Sequence, residues 1–274
     1  MALDPIEARH EAVLTKLIEA AKADDRVMAA WLQGSRADGT ADPFSDIDFY
    51  IALRDEAYES FDRLEFIEQA AHVLVHAELL GNLGVVCLLQ GPVKLDLLVE
   101  KASAVGQMNR RATKMLVDKD DVESKLVTGW TPSLEDVANE VDQLLRMTFQ
   151  GSSWPVRLLR REQWMTHAYS EIVLIHNVIL PLMLAPNDLS VFQRNPMTRE
   201  RLLPPAEREE IDALATQVLD ALSARSLPKA FEAHIAISAA LGQAGRAACE
   251  KFGLEFPEAA EQEALRFYEQ EWPR

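Results

Sequence analysis

Two carboxylates spaced two residues apart, Asp46 and Asp48, lie in the segment DIDFYIAL, which has the composition of a β-strand. Side chains alternate between the two faces of a strand, so both carboxylates point to one face while Ile47 and Phe49 point to the other. Adjacent like charges are costly unless a cation lies between them, and Mg²⁺ prefers carboxylate oxygens. The pattern is compatible with a divalent-metal site. It is also compatible with a solvated strand end that protects a sheet edge from aggregation.

A third carboxylate, Asp96, lies in the apolar segment VKLDLLVE. A lone carboxylate in such a strand is costly if it is buried without a partner. If this strand lies beside the first, Asp96 completes a three-carboxylate site with Asp46 and Asp48. The alternative is an exposed position on the polar face of its strand.

The segment LQGSRADGT joins a short apolar run to the two carboxylates. Gly34 permits a close approach of the backbone, and successive loop N–H groups can form a concave site for an anion. The Ser35 hydroxyl and the Arg36 guanidinium could add donors to phosphate oxygens. An ordinary turn at the end of a strand would use the same residues.

The elements that position these residues follow from periodicity and turn signals in the first part of the chain. A helix is predicted over residues 6–24, with Asp4 as its cap and Pro5 in its first turn. A second helical pattern covers residues 60–78. The predicted strands are 26–33, 46–53, 83–89 and 93–99, the last two forming a hairpin around Gln90-Gly91-Pro92.

Strand-like alternation disappears after about residue 115, and helical patterns follow. The first begins at Ser133, which pairs with Asp136 in a capping pattern. We therefore predict an α+β chain in which residues 1–115 form a domain with a small mixed β-sheet and flanking helices, and residues 116–274 form a helical bundle. The predicted helices of the bundle cover residues 133–149, 157–184, 205–225, 229–252 and 257–271.

Composition excludes some functions and leaves others open. The 274 residues carry 28 Lys and Arg against 44 Asp and Glu, a net charge of −16, which disfavours a nucleic-acid or anionic-membrane partner. Cys87 and Cys249 are predicted to be reduced core residues, consistent with the cytoplasm. We expect no signal peptide, and we expect the apolar run Ile172–Leu184 to be a buried helix.

Taken together, an apolar strand, GSRADG, the two strand carboxylates and Asp96 after a hairpin resemble the DNA polymerase β-like nucleotidyltransferase superfamily. The resemblance covers about residues 28–100. It implies that Gly34 and Ser35 hold the triphosphate of ATP or another NTP, with Arg36 as a further donor. It also implies that Asp46 and Asp48 bind Mg²⁺, and that Asp96 is a metal ligand or the general base.

A catalytic domain followed by a long helical half resembles the antibiotic nucleotidyltransferases. The closest resemblance is to the two-domain lincosamide enzymes, and it rests on GSRADGTADPFSDIDFYIAL, on the acidic strand at Asp96 and more loosely on the C-terminal helical pattern. This implies transfer of a nucleoside monophosphate, with AMP from ATP favoured, to a hydroxyl of a small-molecule antibiotic. An aminoglycoside, or a protein hydroxyl as in toxin–antitoxin AMPylation, is the alternative acceptor. A homodimer is also expected, without nucleic-acid or membrane partners.

One departure from the superfamily pattern is Asp38, which stands where members often carry a basic residue. Arg36 or an arginine of the helical half could supply the missing charge. The candidate arginines are Arg146, Arg157, Arg160 and Arg161. The residues that could line an acceptor pocket in a cleft, or serve as ordinary core, are Trp130, Trp154, Trp164, His167, Tyr169 and His176, with Glu162 or Glu171 for a cationic amine.

Overall fold

The computed structural model describes residues 4–79, 83–107, 110, 112–194 and 196–272. The chain divides into two compact units, Met1–Trp130 and Thr131–Arg274. The first unit is built on a mixed β-sheet with flanking helices and the second is helical, which confirms the predicted fold class.

Among its described residues, the first unit contains six strands and three α-helices. The strands are β1 (Val27–Leu32), β2 (Ile47–Leu53), β3 (Val73–Leu79), β4 (Gly84–Leu89), β5 (Val93–Lys101) and β6 (Lys114–Asp118). The helices are α1 (Pro5–Ala23), α2 (Ser35–Asp38) and α3 (Arg63–Glu68).

The six strands form one sheet with the order β3-β4-β5-β2-β1-β6. Strands β2 and β5 are parallel, and the other neighbouring pairs are antiparallel. The central strands are apolar because they are covered: every residue of β1 is buried, and one face of β2 and β5 packs into the core. This burial fixes the register, since a slip of one residue would turn the polar face inward.

Local signals for α1 and for the β4–β5 hairpin are confirmed. The Asp4 carboxylate accepts the N–H of Ile6 at 2.8 Å, and Pro5 occupies the first turn of α1. Strands β4 and β5 pair antiparallel up to Leu89 and Val93, so Gln90-Gly91-Pro92 forms the turn between them.

The helix predicted over residues 60–78 is wrong for its second half. Helix α3 is short, and β3 then pairs with β4 at the edge of the sheet. The side chains of β3 are mostly exposed, with Leu74 and Val75 more than half accessible. An edge strand held mainly by its backbone ladder has no buried face, so the alternation that identifies strands from sequence is missing.

Strand β6 spans the point, about residue 115, at which strand patterns were expected to end. It pairs antiparallel with β1, from Ala29 opposite Asp118 to Leu32 opposite Lys114. The position predicted for the domain boundary, between residues 115 and 116, therefore falls inside a strand of the first unit's sheet. Only Val117 of this strand is fully buried, which explains its weak apolar signal.

The second unit consists of seven α-helices among its described residues. They are α4 (Leu134–Gln150), α5 (Trp154–Arg160), α6 (Trp164–Leu174), α7 (Leu180–Leu184), α8 (Pro205–Ala224), α9 (Leu227–Phe252) and α10 (Glu258–Glu271). The capping pattern at α4 is confirmed: Ser133 Oγ accepts the N–H of Asp136, whose carboxylate accepts the N–H of Ser133.

One continuous helical stretch, Trp164–Leu184, is long and apolar enough by composition to cross a membrane. Its middle is a π-helical turn, Ile175–Ile179, next to Pro181, which cannot donate a backbone hydrogen bond. More than half of this stretch is buried within the second unit. Buried core helices can have the same length and apolar composition as membrane-spanning helices. Ile175, Ile179 and Leu182 belong to the second unit's core, as expected for a buried helix.

Candidate active site

Asp48 and Asp96 lie side by side on the two parallel strands. The register pairs Ile47 with Leu95, Asp48 with Asp96 and Phe49 with Leu97. The flanking apolar residues are buried on the opposite face, so both carboxylates project from the same face of the sheet. Asp46 directly precedes β2. The structure thus brings together the three carboxylates that the sequence singled out.

The surroundings of Asp48 disfavour its charged form. Burial, and then the nearby charges of Asp96 and Asp46, raise the pKa of Asp48 from 3.8 to about 6, while Lys94 and Arg36 oppose the change. A pKa raised by neighbouring carboxylates indicates an excess of negative charge at one point. A bound cation would remove this cost.

Lys94 is the cation that the sequence analysis missed. Its Nζ donates to Asp46 Oδ2 at 2.5 Å and to Asp96 Oδ2 at 3.3 Å. Partial burial lowers the pKa of Lys94, but the hydrogen bond and charge of Asp46 and the charge of Asp96 outweigh it and raise the pKa. The signal was present in the sequence, because Lys94 and Asp96 are two residues apart and must share a strand face.

The Gly34 turn lies against Asp48. Gly34 has a φ of 63°, and a Cβ placed on it would lie 2.2 Å from Asp48 Oδ2. Only glycine combines this backbone conformation with so close an approach. Gln33 N–H also donates to the Asp48 carbonyl at 3.1 Å. Ser35 begins α2 directly after Gly34, so the two predicted loop residues are beside the carboxylates.

Arg36 has a different role from the predicted one. Its guanidinium is ion-paired with Glu7 and Glu11 of α1 and donates to the backbone carbonyls of Asp46 and Ser45. Only 5% of the side chain is exposed. We therefore correct its role from phosphate donor to positioning residue: it ties α1, the loop and the start of β2 together.

Asp38 closes the loop locally. Its Oδ1 accepts the Thr40 backbone N–H at 3.1 Å and the Thr40 hydroxyl at 2.5 Å. Such side-chain bonds two residues ahead stabilise tight turns. The residue that departs from the superfamily pattern thus shapes the loop.

Three of the four arginines proposed from the helical half make contacts with other residues of the second unit. Arg146 pairs with Asp142, Arg160 pairs with Glu271, and the Arg157 guanidinium lies over the Trp154 ring. These contacts are within the second unit. Within the first unit, Lys94 is a positive charge that lies directly on the carboxylate cluster.

The donor set fits a hard divalent cation. Asp96 Oδ1 is buried and makes no hydrogen bond, although Lys94 Nζ lies 3.2 Å away in unfavourable hydrogen-bond geometry. Within the described part of the chain, no three His, Cys, Asp or Glu side chains already converge around one metal position. The reason is visible at Lys94, whose ammonium draws Asp46 and Asp96 toward itself. A metal at Asp46, Asp48 and Asp96 would have to displace this ammonium.

Comparison with known proteins agrees with this site. Residues 15–103 match the family described as "Polymerase beta, Nucleotidyltransferase". This segment includes β1, the Gly34 turn, β2 and β5, and therefore all three carboxylates. Residues 15–103 are therefore a nucleotidyltransferase domain of this type, which supports a nucleotidyltransferase activity. A comparison with curated proteins found no match.

Two solved structures are similar to the chain over most of its length. An aminoglycoside 6-adenyltransferase from Bacillus subtilis is 16% identical, with 99% of this chain and 100% of that chain covered and a TM-score of 0.41. A spectinomycin adenyltransferase, AAD(9), from Enterococcus faecialis with ATP and spectinomycin is 11% identical, with 90% and 97% covered and a TM-score of 0.33.

Proposed function

We propose that the chain transfers a nucleoside monophosphate, with AMP from ATP as the favoured donor, to a hydroxyl of a small-molecule antibiotic. One observation carries the proposal. Asp48 and Asp96 are paired in register on adjacent parallel strands, and the Gly34 turn packs against Asp48. This arrangement puts a place for phosphates next to a cluster of metal-binding oxygens.

Mg²⁺ is the proposed metal, and Asp46, Asp48 and Asp96 would hold it. When bound, it would neutralise triphosphate charge and stabilise the attacking and leaving oxygens. The loop after Gly34 would orient the triphosphate through backbone N–H groups and the Ser35 hydroxyl. Lys94, once released from Asp46, would offer its ammonium to a phosphate oxygen and supply the charge that the loop lacks at Asp38.

Asp96 is the residue we assign to the proton of the acceptor hydroxyl. The acceptor oxygen forms a bond to the α-phosphorus while the bond to pyrophosphate breaks, and the hydroxyl proton passes to the carboxylate. A hydroxyl is a weak nucleophile near neutral pH, so a positioned base accelerates the step. Asp96 Oδ1 accepts no hydrogen bond, although Lys94 Nζ lies 3.2 Å away, so this oxygen could accept the proton once Lys94 has moved.

The acceptor class is tested by direct assay. The full chain is incubated with Mg²⁺, each of four α-labelled nucleoside triphosphates, and a panel of lincosamides, aminoglycosides and spectinomycin. We expect label to appear on a lincosamide with release of pyrophosphate. Label on an aminoglycoside would move the acceptor to the alternative class. No labelled acceptor with any pair would contradict the small-molecule proposal.

The remaining parts of the proposal concern partners. We propose that the protein is a cytoplasmic homodimer. We also propose that it binds no nucleic acid, because its net charge of −16 would repel the phosphate backbone. Light scattering of the full chain tests the dimer. A gel-shift titration with duplex DNA at low salt tests whether the protein binds nucleic acid.

A further inference from the structure

A cavity of about 270 Å³ lies within the second unit. It lies among α4, α6, α9 and α10, with Trp154 of α5 also contributing. Its walls are largely apolar, with Met147, Phe149, Trp154 and Leu241 among them. Met147 and Trp154 are exposed large apolar residues, so part of the lining faces solvent. Of the residues named earlier for an acceptor pocket, Trp154 and Glu171 line this cavity.

Two buried polar side chains line the same cavity. Glu171 and His234 are each 2% exposed. His234 Nδ1 lies 2.9 Å from Glu171 Oε1 and, since a carboxylate only accepts, Nδ1 carries the hydrogen. The His234 ring is stacked on Trp272 and contacts the edge of Tyr268, which fixes its orientation.

Each of these two side chains has one atom without a partner. Glu171 Oε2 and His234 Nε2 are buried and make no hydrogen bond. A ring that carries its hydrogen on Nδ1 alone presents Nε2 as an acceptor, and Glu171 Oε2 is an acceptor as well, so in that tautomer both atoms would take a donor. An unsatisfied buried acceptor costs about 1–3 kcal/mol, which a ligand with N–H groups would recover.

Two hydroxyls that line the cavity are already used as donors. The hydroxyls of Thr148 and Ser170 donate to the carbonyls of Leu144 and His167 in their own helices. None of the described residues that line the cavity is Lys or Arg. The other acidic residue of the lining, Glu261, forms an ion pair with Arg246. The ionisable side chains beside Glu171 are those of His167 and His234.

His167 does not neutralise this carboxylate. Its Nδ1 lies 3.6 Å from Glu171 Oε1. Burial lowers the pKa of His167, and the charge of Glu171 only partly opposes that effect. The Tyr268 pKa is raised by burial and then by Glu171. The cavity therefore combines an acceptor-rich, negatively polarised end with apolar and aromatic walls.

We propose that this cavity binds a small organic ammonium ligand. Its N–H groups donate to Glu171 Oε2 and His234 Nε2, and its apolar body packs on Phe149, Trp154 and Leu241. The volume accommodates a compact amine or the amine-bearing end of a larger molecule. The inference concerns the second unit alone and does not depend on the proposed transfer reaction.

Calorimetric titration of the full chain with 2-phenylethylammonium tests the site without nucleotide or metal. We expect a Kd of about 0.1–1 mM, in keeping with the size of the probe. The neutral analogue 2-phenylethanol and the Glu171→Gln variant should each bind about tenfold more weakly, because a charge-assisted hydrogen bond is lost. Glu232→Gln is the matched control: the residue is exposed on the same helix as His234, and its removal should leave the Kd unchanged.

The comparison of amine and alcohol on the wild-type chain keeps the test decisive if Glu171→Gln does not fold. A second variant, Trp154→Ala, removes a partly exposed wall residue and should weaken amine binding about threefold or more. Equal affinity for amine and alcohol, or no heat with the amine at 10 mM, would overturn the proposal. An unchanged Kd in folded Glu171→Gln would also overturn it, and the cluster would then be a water-filled structural feature.

Discussion

Asp48→Asn should make the metal-free protein more stable at pH 8 while removing its activity. Asp48 has an ordinary pKa of 3.8 and a pKa of about 6 in the fold, because of burial and then the charges of Asp96 and Asp46. The folded state therefore binds the proton more tightly than the unfolded state. The cost is absent below the lower pKa and grows as the pH rises through the folded value.

The pKa difference gives the magnitude. At pH 8 the ionised Asp48 costs about 3 kcal/mol of unfolding free energy, and at pH 4.5 about 1 kcal/mol. These are upper values, because the side chain is only partly buried. The neutral amide has nearly the same shape and carries no charge, so the variant should gain up to this amount at pH 8.

Amide hydrogen exchange of β1 and β2 in the presence of EDTA measures this free energy in the first unit alone. The exposed Asp25→Asn is the matched control and should change little. Mg²⁺ should then stabilise the wild type and not the Asn variant, because only the former keeps three carboxylates. A variant less stable than the wild type at pH 8, or an equal difference at both pH values, would refute the reasoning.

Three further perturbations test the parts of the site. Gly34→Ala should lower activity about 100-fold, because its Cβ would displace the Asp48 carboxylate. Gly39→Ala is the control, because Gly39 has a similar φ but open space around the added Cβ. It should cost only about 1 kcal/mol of unfolding free energy and keep activity. Equal losses of activity in the two variants would contradict this prediction. Lys94→Met should bind Mn²⁺ about fivefold more tightly without nucleotide, as measured by electron paramagnetic resonance, because a competing cation is gone. Arg36→Met should lower the unfolding free energy by about 2 kcal/mol in urea titrations, with little change in the KM for nucleotide. A raised KM for nucleotide with unchanged unfolding free energy would instead support Arg36 as a donor to the phosphates.

Much of the site could be predicted because strand periodicity is visible in the sequence. The spacing of Asp46 and Asp48, and the hairpin before Asp96, placed three carboxylates on strands. Their register could not be predicted, since the parallel pairing of β2 and β5 depends on the whole sheet. The position of Lys94 on the same strand face as Asp96 could also have been predicted, because the two residues are two positions apart.

Long-range partners explain most of the misassigned roles. Arg36 looked like a loop donor because Glu7 and Glu11 lie more than twenty residues away in the chain. Glu171 and His234 are separated by 63 positions, so their contact leaves no local pattern. The prediction of a helix at the exposed edge strand β3 was wrong for another reason. This strand has no buried face, so its side chains show no periodic alternation of apolar and polar residues.

We propose that the carboxylates of β2 and β5 support metal-dependent nucleotidyl transfer. The most direct measurement is the Mg²⁺-dependent release of pyrophosphate from ATP, with the labelled acceptor counted in the same reaction. We compare the wild type, Asp48→Asn and the control Asp25→Asn. We expect equal amounts of pyrophosphate and labelled acceptor for the wild type and the control, and a loss of at least about 1,000-fold for Asp48→Asn. Transfer by Asp48→Asn at the wild-type rate would contradict it.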